Sequence, residues 1–168
     1  MSTIKRVLLT SVVALLFTVL SATIVLAATQ QLSDQISGDF KVTKSKAPSP
    51  MNSGACTGCA GGKAHWVNKS REPSTVAGKW IAHHNNTTTW WYVYIPNNGA
   101  ANGGTYYIVQ NSVHSFTIPL IQANHHGQWV SLGFLDVGDN AIIKADNLCT
   151  PLAYCDSFLY WDDAKYDH

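Results

Sequence analysis

From residue 64 onward the chain is interrupted by turn residues at nearly even intervals, and this punctuation limits its possible folds more than any other feature. Pro73-Ser74, Asn85-Asn86, Pro96-Asn97-Asn98-Gly99, Asn102-Gly103-Gly104, Asn124 to Gly127 and Gly138-Asp139-Asn140 separate short runs rich in Val, Ile, Thr, Tyr and Trp. The runs over 64–68, 78–82, 88–95, 105–110, 115–120, 128–135, 141–145 and 157–165 read as strands, with no amphipathic helical stretch between them. Short strands so spaced predict an all-β fold, an antiparallel β-sandwich of jelly-roll-like form. The sharpest strand signal is Gly127-Gln128-Trp129-Val130-Ser131-Leu132-Gly133, where two glycine turns bracket bulky strand formers.

Strand alternation sorts the aromatic residues. Successive side chains of a strand point to opposite faces, so Trp91, Val93 and Ile95 form a purely apolar set that belongs in the core. Trp90, Tyr92 and Tyr94 fall on the opposite face. Three aligned rings with polar tips suit a sugar, whose C–H face lies flat on an aromatic ring while Tyr hydroxyls and Trp N–H bond its edge. They equally suit a covering segment or a partner protein, because exposed aromatic patches mark interfaces.

The N-terminus carries Lys5-Arg6, then an uncharged run from Val7 to Ala28 that ends in Val25-Leu26-Ala27. Residues 1–27 therefore read as a signal peptide or an uncleaved N-terminal membrane anchor, since the run is close to the ~20 residues that cross a hydrocarbon core. Either reading exports the rest, with Lys5 and Arg6 left in the cytoplasm if the helix is kept. Charged residues make up only 12% of the chain, which also suits a secreted or cell-surface protein. Without residues 1–27, nine basic face ten acidic side chains, a formal charge of −1. That balance argues against nucleic acid as a partner, which requires several clustered Lys or Arg.

Residues 28–63 read as a flexible tether. Lys41 to Lys46, Ala47-Pro48-Ser49-Pro50 and a Gly-rich tract offer little apolar surface to offset the entropy of ordering. This segment holds Cys56-Thr57-Gly58-Cys59, and the remaining cysteines are Cys149 and Cys155. In an exported chain four cysteines form two disulfides, and three pairings are open. Local pairing closes two small loops, whereas cross-pairing would staple the tether to the domain. Zinc would need two close pairs of suitable spacing, and the second pair here does not supply one.

No metal and no cofactor is expected. His65, His83, His84, His114, His125, His126 and His168 read as solvated, and Asp156, Asp162, Asp163 and Asp167 match no known calcium loop. Glycoside hydrolysis needs two carboxylates facing each other across a cleft. The acidic residues here crowd the C-terminus, with Glu72, Asp136, Asp139 and Asp146 elsewhere. The chain is read as non-enzymatic. Asn68-Lys69-Ser70 and the overlapping Asn85-Asn86-Thr87-Thr88 are glycosylation sequons, meaningful only in a eukaryotic secretory pathway.

Several segments in order resemble one family. Trp91-Tyr92-Val93-Tyr94-Ile95-Pro96, Tyr107-Ile108-Val109-Gln110-Asn111, Ser115 to Leu120, Gly127-Gln128-Trp129 with Leu132-Gly133, and Leu159 to Tyr166 are similar to the core of the golvesin C-terminal domain family. That family is also described as the carbohydrate-binding-like domain of xanthan lyase. The resemblance covers roughly the last hundred residues and departs at His125-His126 and at the cysteines. It implies a β-sandwich over 64–168, core places for Trp129 and Trp161 at the family's motif positions and, for Asp163, a structural hydrogen bond to a loop. The function expected is an exported, non-catalytic module that binds extracellular or cell-surface polysaccharide through Trp90, Tyr92 and Tyr94. Its rival is a membrane-anchored structural or adhesion subunit that docks on another protein or on its own copies through the same face.

Overall fold

The computed structural model describes residues 29–34, 36, 38–45, 51–68, 76–82, 88–136, 142–147 and 158–167. Residues 1–28, Cys149, Cys155, His83, His84, His168 and the sequon at Asn85-Asn86 lie outside them. No helix among the described residues is long and apolar enough to cross a membrane.

Twelve strands are present: β1 (Thr29–Leu32), β2 (Phe40–Ser45), β3 (Asn52–Ala55), β4 (Lys63–Asn68), β5 (Val76–Ile81), β6 (Thr88–Ile95), β7 (Gly104–Gln110), β8 (Ser115–Ile121), β9 (Gln128–Asp136), β10 (Ile142–Asp146), β11 (Phe158–Trp161) and β12 (Ala164–Asp167). They form a four-stranded sheet in the order β1-β12-β6-β9, a five-stranded sheet β2-β5-β10-β7-β8 and a three-stranded sheet β11-β4-β3. Every pairing between these strands is antiparallel. One buried cluster takes Trp91, Val93, Ile95, Leu132 and Tyr166 from the four-stranded sheet and Trp80, Tyr107, Val109 and Ile143 from the five-stranded sheet. The two sheets are thus the layers of a sandwich, and the third adds Val67, Leu159 and Trp161 to the same core.

The expected tether is corrected by three strands. β1 pairs with β12, β2 with β5 and β3 with β4. Leu32 and Phe40 are buried in the core, with Phe40 against Trp80 at 5.4 Å. Each strand is short and at a sheet edge, and each buries at most one described side chain, Leu32 from β1 and Phe40 from β2. That signal is too small to stand out from the polar residues around it.

A second correction concerns 157–165, expected as one strand. The chain runs through β11 in the three-stranded sheet, breaks at Asp162-Asp163 and enters β12 in the four-stranded sheet. β5 begins two residues earlier than predicted, while β6, β8 and β9 fall where the sequence places them, within a residue.

Two polar fastenings hold the layers. Buried Gln122 donates to Tyr107 Oη at 3.0 Å and to the Tyr160 carbonyl at 2.7 Å, and its amide oxygen accepts from the Tyr160 N–H. The Cys56–Cys59 disulfide, the local pairing, closes the loop after β3. That loop docks on the turn after β6, where the Asn97 N–H donates to the Gly58 carbonyl at 2.8 Å. Gly58 has φ +80°, and a Cβ there would meet the Asn97 carbonyl oxygen, so glycine is required.

Candidate functional site

The outer face of the four-stranded sheet is the candidate site. In β6, Trp91, Val93 and Ile95 are buried while Trp90, Tyr92 and Tyr94 point outward, as alternation demands. Trp90 is 49% exposed. About 3.3 Å of rise per residue spreads these three rings over roughly 13 Å of strand.

β9 adds two rings that simple alternation does not predict. Trp129 and Phe134 differ in parity, so on a regular strand only one could face outward. Gly133, at φ +107°, stands opposite Trp91, whereas Tyr92 stands opposite Ser131, so Leu132 is an extra residue in a bulge. The bulge shifts the alternation and turns both rings outward, 36% exposed for Trp129 and 51% for Phe134. Trp129 is therefore not a core residue, while Trp161 is fully buried as expected. Only glycine suits the bulge position: beyond the positive φ, a Cβ there would lie 3.3 Å from the Phe116 ring of the opposing sheet.

The rings form two tilted pairs, Trp90 with Phe134 at 5.5 Å and Tyr94 with Trp129 at 5.3 Å between centroids. Between them lies Lys165 of β12, the register partner of Tyr92, with Nζ 4.8 Å from the Tyr92 ring and 5.0 Å from the Trp129 ring. A cation over a ring face is attracted by its quadrupole, which holds the lysine across the middle of the face. The result is an apolar surface with one central positive charge and Tyr hydroxyls beside it. It can stack flat C–H surfaces and bond their polar edges.

A second cluster lies beneath the surface. Carboxylate oxygens of Asp34, Asp162 and Asp163 are within 4.8 Å of one another, all buried, and these are the described residues that could hold a cation. Asp162 accepts from the Ala60 N–H at 2.9 Å, Asp163 from the Gln31 side chain and the Asp34 N–H, and Asp34 Oδ2 lies 2.9 Å from His65 Nδ1. The Asp163 bonds are the structural role that the resemblance implies. Burial pushes the Asp162 carboxyl up to about 8 and holds the Asp163 carboxyl above the ordinary range. A proton on Asp162 is one way in which three carboxylates can share this space.

Sequence reasoning missed the cluster because Asp34 falls in the presumed tether. It also missed His65, which is bonded to Asp34 and packed on Phe40 at 4.9 Å instead of being solvated. His126 likewise bonds the Ala101 carbonyl at 2.8 Å. A surface pocket of about 450 Å³ is lined by Asp34, Phe40, Ser53, Lys63 and His65. Among the described residues that line it, Asp34 supplies the carboxylate.

No family model matches the chain, and no curated protein does. Solved structures share its fold. The chain is similar to part of a Paenibacillus xanthan lyase, with a TM-score of 0.68 and 13% identity over 84% of this chain and 13% of that one. It is similar to the CBM35 carbohydrate-binding module of Cellvibrio japonicus Abf62, with a TM-score of 0.50 and 16% identity over 83% of this chain and 92% of that module. A Phanerochaete chrysosporium exo-β-1,3-galactanase structure containing β-1,3-galactotriose matches with a TM-score of 0.50 and 14% identity, over 84% of this chain and 30% of the enzyme. The chain thus spans 13% of the lyase and 30% of the galactanase, but nearly all of the module. The fold is a β-sandwich that these proteins share.

Proposed function

We propose that this chain is an exported, non-catalytic module that binds extracellular or cell-surface polysaccharide on the aromatic face of its four-stranded sheet. The observation that carries the reading is the outward row of Trp90, Tyr92 and Tyr94, flanked by Trp129 and Phe134. Glycan-related proteins among the structures that share the fold support it. The order of motifs in β6 to β9 and the fold shared with xanthan lyase support placing the chain among the golvesin-like modules. Export follows from the apolar run of residues 7–28, as a signal peptide or an anchor, and is supported by the Cys56–Cys59 disulfide.

One observation favours the rival, a membrane-anchored structural or adhesion subunit. Phe134 is the most exposed ring of the face and has no polar atom to offer a sugar. The deciding experiment measures retention of the full chain on immobilised uncharged polysaccharides, with Trp90→Ala, Tyr92→Ala and Tyr94→Ala checked for folding. Each lost stacking partner is worth on the order of 1 kcal/mol, so affinity should fall severalfold to tenfold per ring. No retention on any polymer, together with a protein that co-purifies through the same rings, would replace this reading with the subunit.

A further inference from the structure

A polar band divides the aromatic face. Gln31 of β1, Lys165 of β12, Tyr92 of β6 and Ser131 of β9 are register partners in turn, so they form one cross-strand row over all four strands. The tilted pairs Trp90 with Phe134 and Tyr94 with Trp129 lie on either side of that row. Apolar, cationic and apolar patches therefore follow one another along the ribbon of β6 and β9.

Lys165 is the one Lys or Arg in these four strands, and it makes no ion pair among the described residues. Asp167, two residues on, does not answer its charge. Tyr166 stands opposite Trp91, which puts Asp167 at the level of Trp90, and its Oδ1 accepts from Thr29 Oγ1 at 2.8 Å. The Lys165 ammonium leans the other way, 5.0 Å from the ring of Trp129, whose register partner is Tyr94. A ligand lying flat across both ring pairs must cover this ammonium. Covering a charge without pairing it is costly, and an ammonium partly shielded by rings attracts an anion more strongly than one in open water. The best-matched ligand brings a negative charge to the centre and neutral, C–H-rich surface to both sides.

We infer that the face selects an acidic polysaccharide in which carboxylated sugars are separated by neutral ones. A carboxylate meets Lys165, and the sugars before and after it stack on the two ring pairs. The inference rests on the polysaccharide reading and names the class of chain that the same face prefers. The roughly 13 Å from Trp90 to Tyr94 holds a sugar on each ring pair with one between them. One lysine balances the single charge of a carboxylate and not the nearly double charge of a phosphomonoester. An acid on every sugar would set carboxylates over apolar rings and bring one toward Asp167.

The test is retention of the full chain on three immobilised forms of one backbone: polygalacturonate fully methyl-esterified, half-esterified and as the free acid. In low salt the half-ester should hold the protein about five to ten times more tightly than the full ester, with the free acid between them. Rising salt should bring the half-ester down toward the ester. Lys165→Met keeps the stem over the rings and should bring the ratio of half-ester to ester to about one, whereas Lys165→Arg should keep the ratio, both checked for folding by thermal unfolding. Asp167→Asn should narrow the gap between half-ester and free acid. A ratio near one in the unaltered protein, or one that survives Lys165→Met, overturns the inference and leaves the polysaccharide reading standing. Equal loss on all three forms in Lys165→Met makes the lysine a spacer between rings and overturns it too. Retention on none of the three also overturns it, and the uncharged polymers with their ring variants then decide the polysaccharide reading alone.

Discussion

The two outer faces of this sandwich lie over one shared core and differ in almost everything else. The four-stranded face carries five aromatic rings around a single lysine, Lys165. The five-stranded face carries Lys41 directly opposite Lys79 and a cavity lined by Thr43, Tyr106, Thr117 and Asp146 among the described residues. Their inner faces are alike, built from Trp91, Val93 and Ile95 on one side and Trp80, Tyr107 and Val109 on the other. Inward positions must satisfy packing, which accepts any well-fitting apolar residue. Outward positions are free of that demand, and there the two sheets have diverged into an apolar surface and a charged one.

The comparison is broken most sharply within β6. Trp91→Ala empties a fully buried site and should cost about 3–5 kcal/mol, while Trp90→Ala next to it, which loses its pairing with Phe134, should cost about 1 kcal/mol, read by chemical denaturation. If Trp90→Ala proved as costly, that ring would be structural and the aromatic face would lose its claim as a site. Gly133→Ala should come next, at about 1–3 kcal/mol, because it places a side chain at φ +107°. In crystals or by NMR this variant should also disturb the outward placing of Trp129 or Phe134, since the bulge aligns them.

The buried carboxylates give a pH dependence confined to neither face. With Asp162 raised from 3.8 to about 8 on folding, the native state binds more protons than the unfolded chain between those values. Its contribution is therefore fully present below about pH 4, is lost as pH rises toward 8 and is flat beyond. Asp162→Asn should remove that slope and raise stability at pH 8 by about 1–3 kcal/mol, measured as unfolding midpoints from pH 4 to 9. A slope unchanged in the variant would place the titrating group elsewhere. The smallest effect is expected on the charged face, where Lys79→Gln should stabilise the unliganded protein by a few tenths of a kcal/mol by relieving Lys41, its register partner. A loss of stability would mean that the pair is already neutralised.

Legibility from sequence followed the range of the interactions. The strand of Trp90 to Ile95 and its inward and outward sets rest on neighbours in the chain and are present in the fold, whereas the cysteine pairing, open in the sequence, is resolved for Cys56–Cys59 by the structure. The family motif places Trp129 in the core, whereas the register with β6 turns it outward beside Tyr94, which no motif position reports. The edge strands of residues 29–45 look like a tether in sequence because what orders them is pairing with β5 and β12, far away along the chain. A fragment starting at residue 64, natural from the sequence alone, would leave those partners exposed.

What the sequence by itself determined is the class of fold and the aromatic character of one strand face, because turn chemistry and period-two alternation are local properties of the chain. Tertiary structure alone decided which residues stand side by side across strands: Trp90 with Phe134, Lys41 with Lys79 and Lys144, and Asp34 with Asp162 and Asp163. Such neighbours are set by register, and a one-residue bulge or slip reassigns every one of them without altering the composition of any strand.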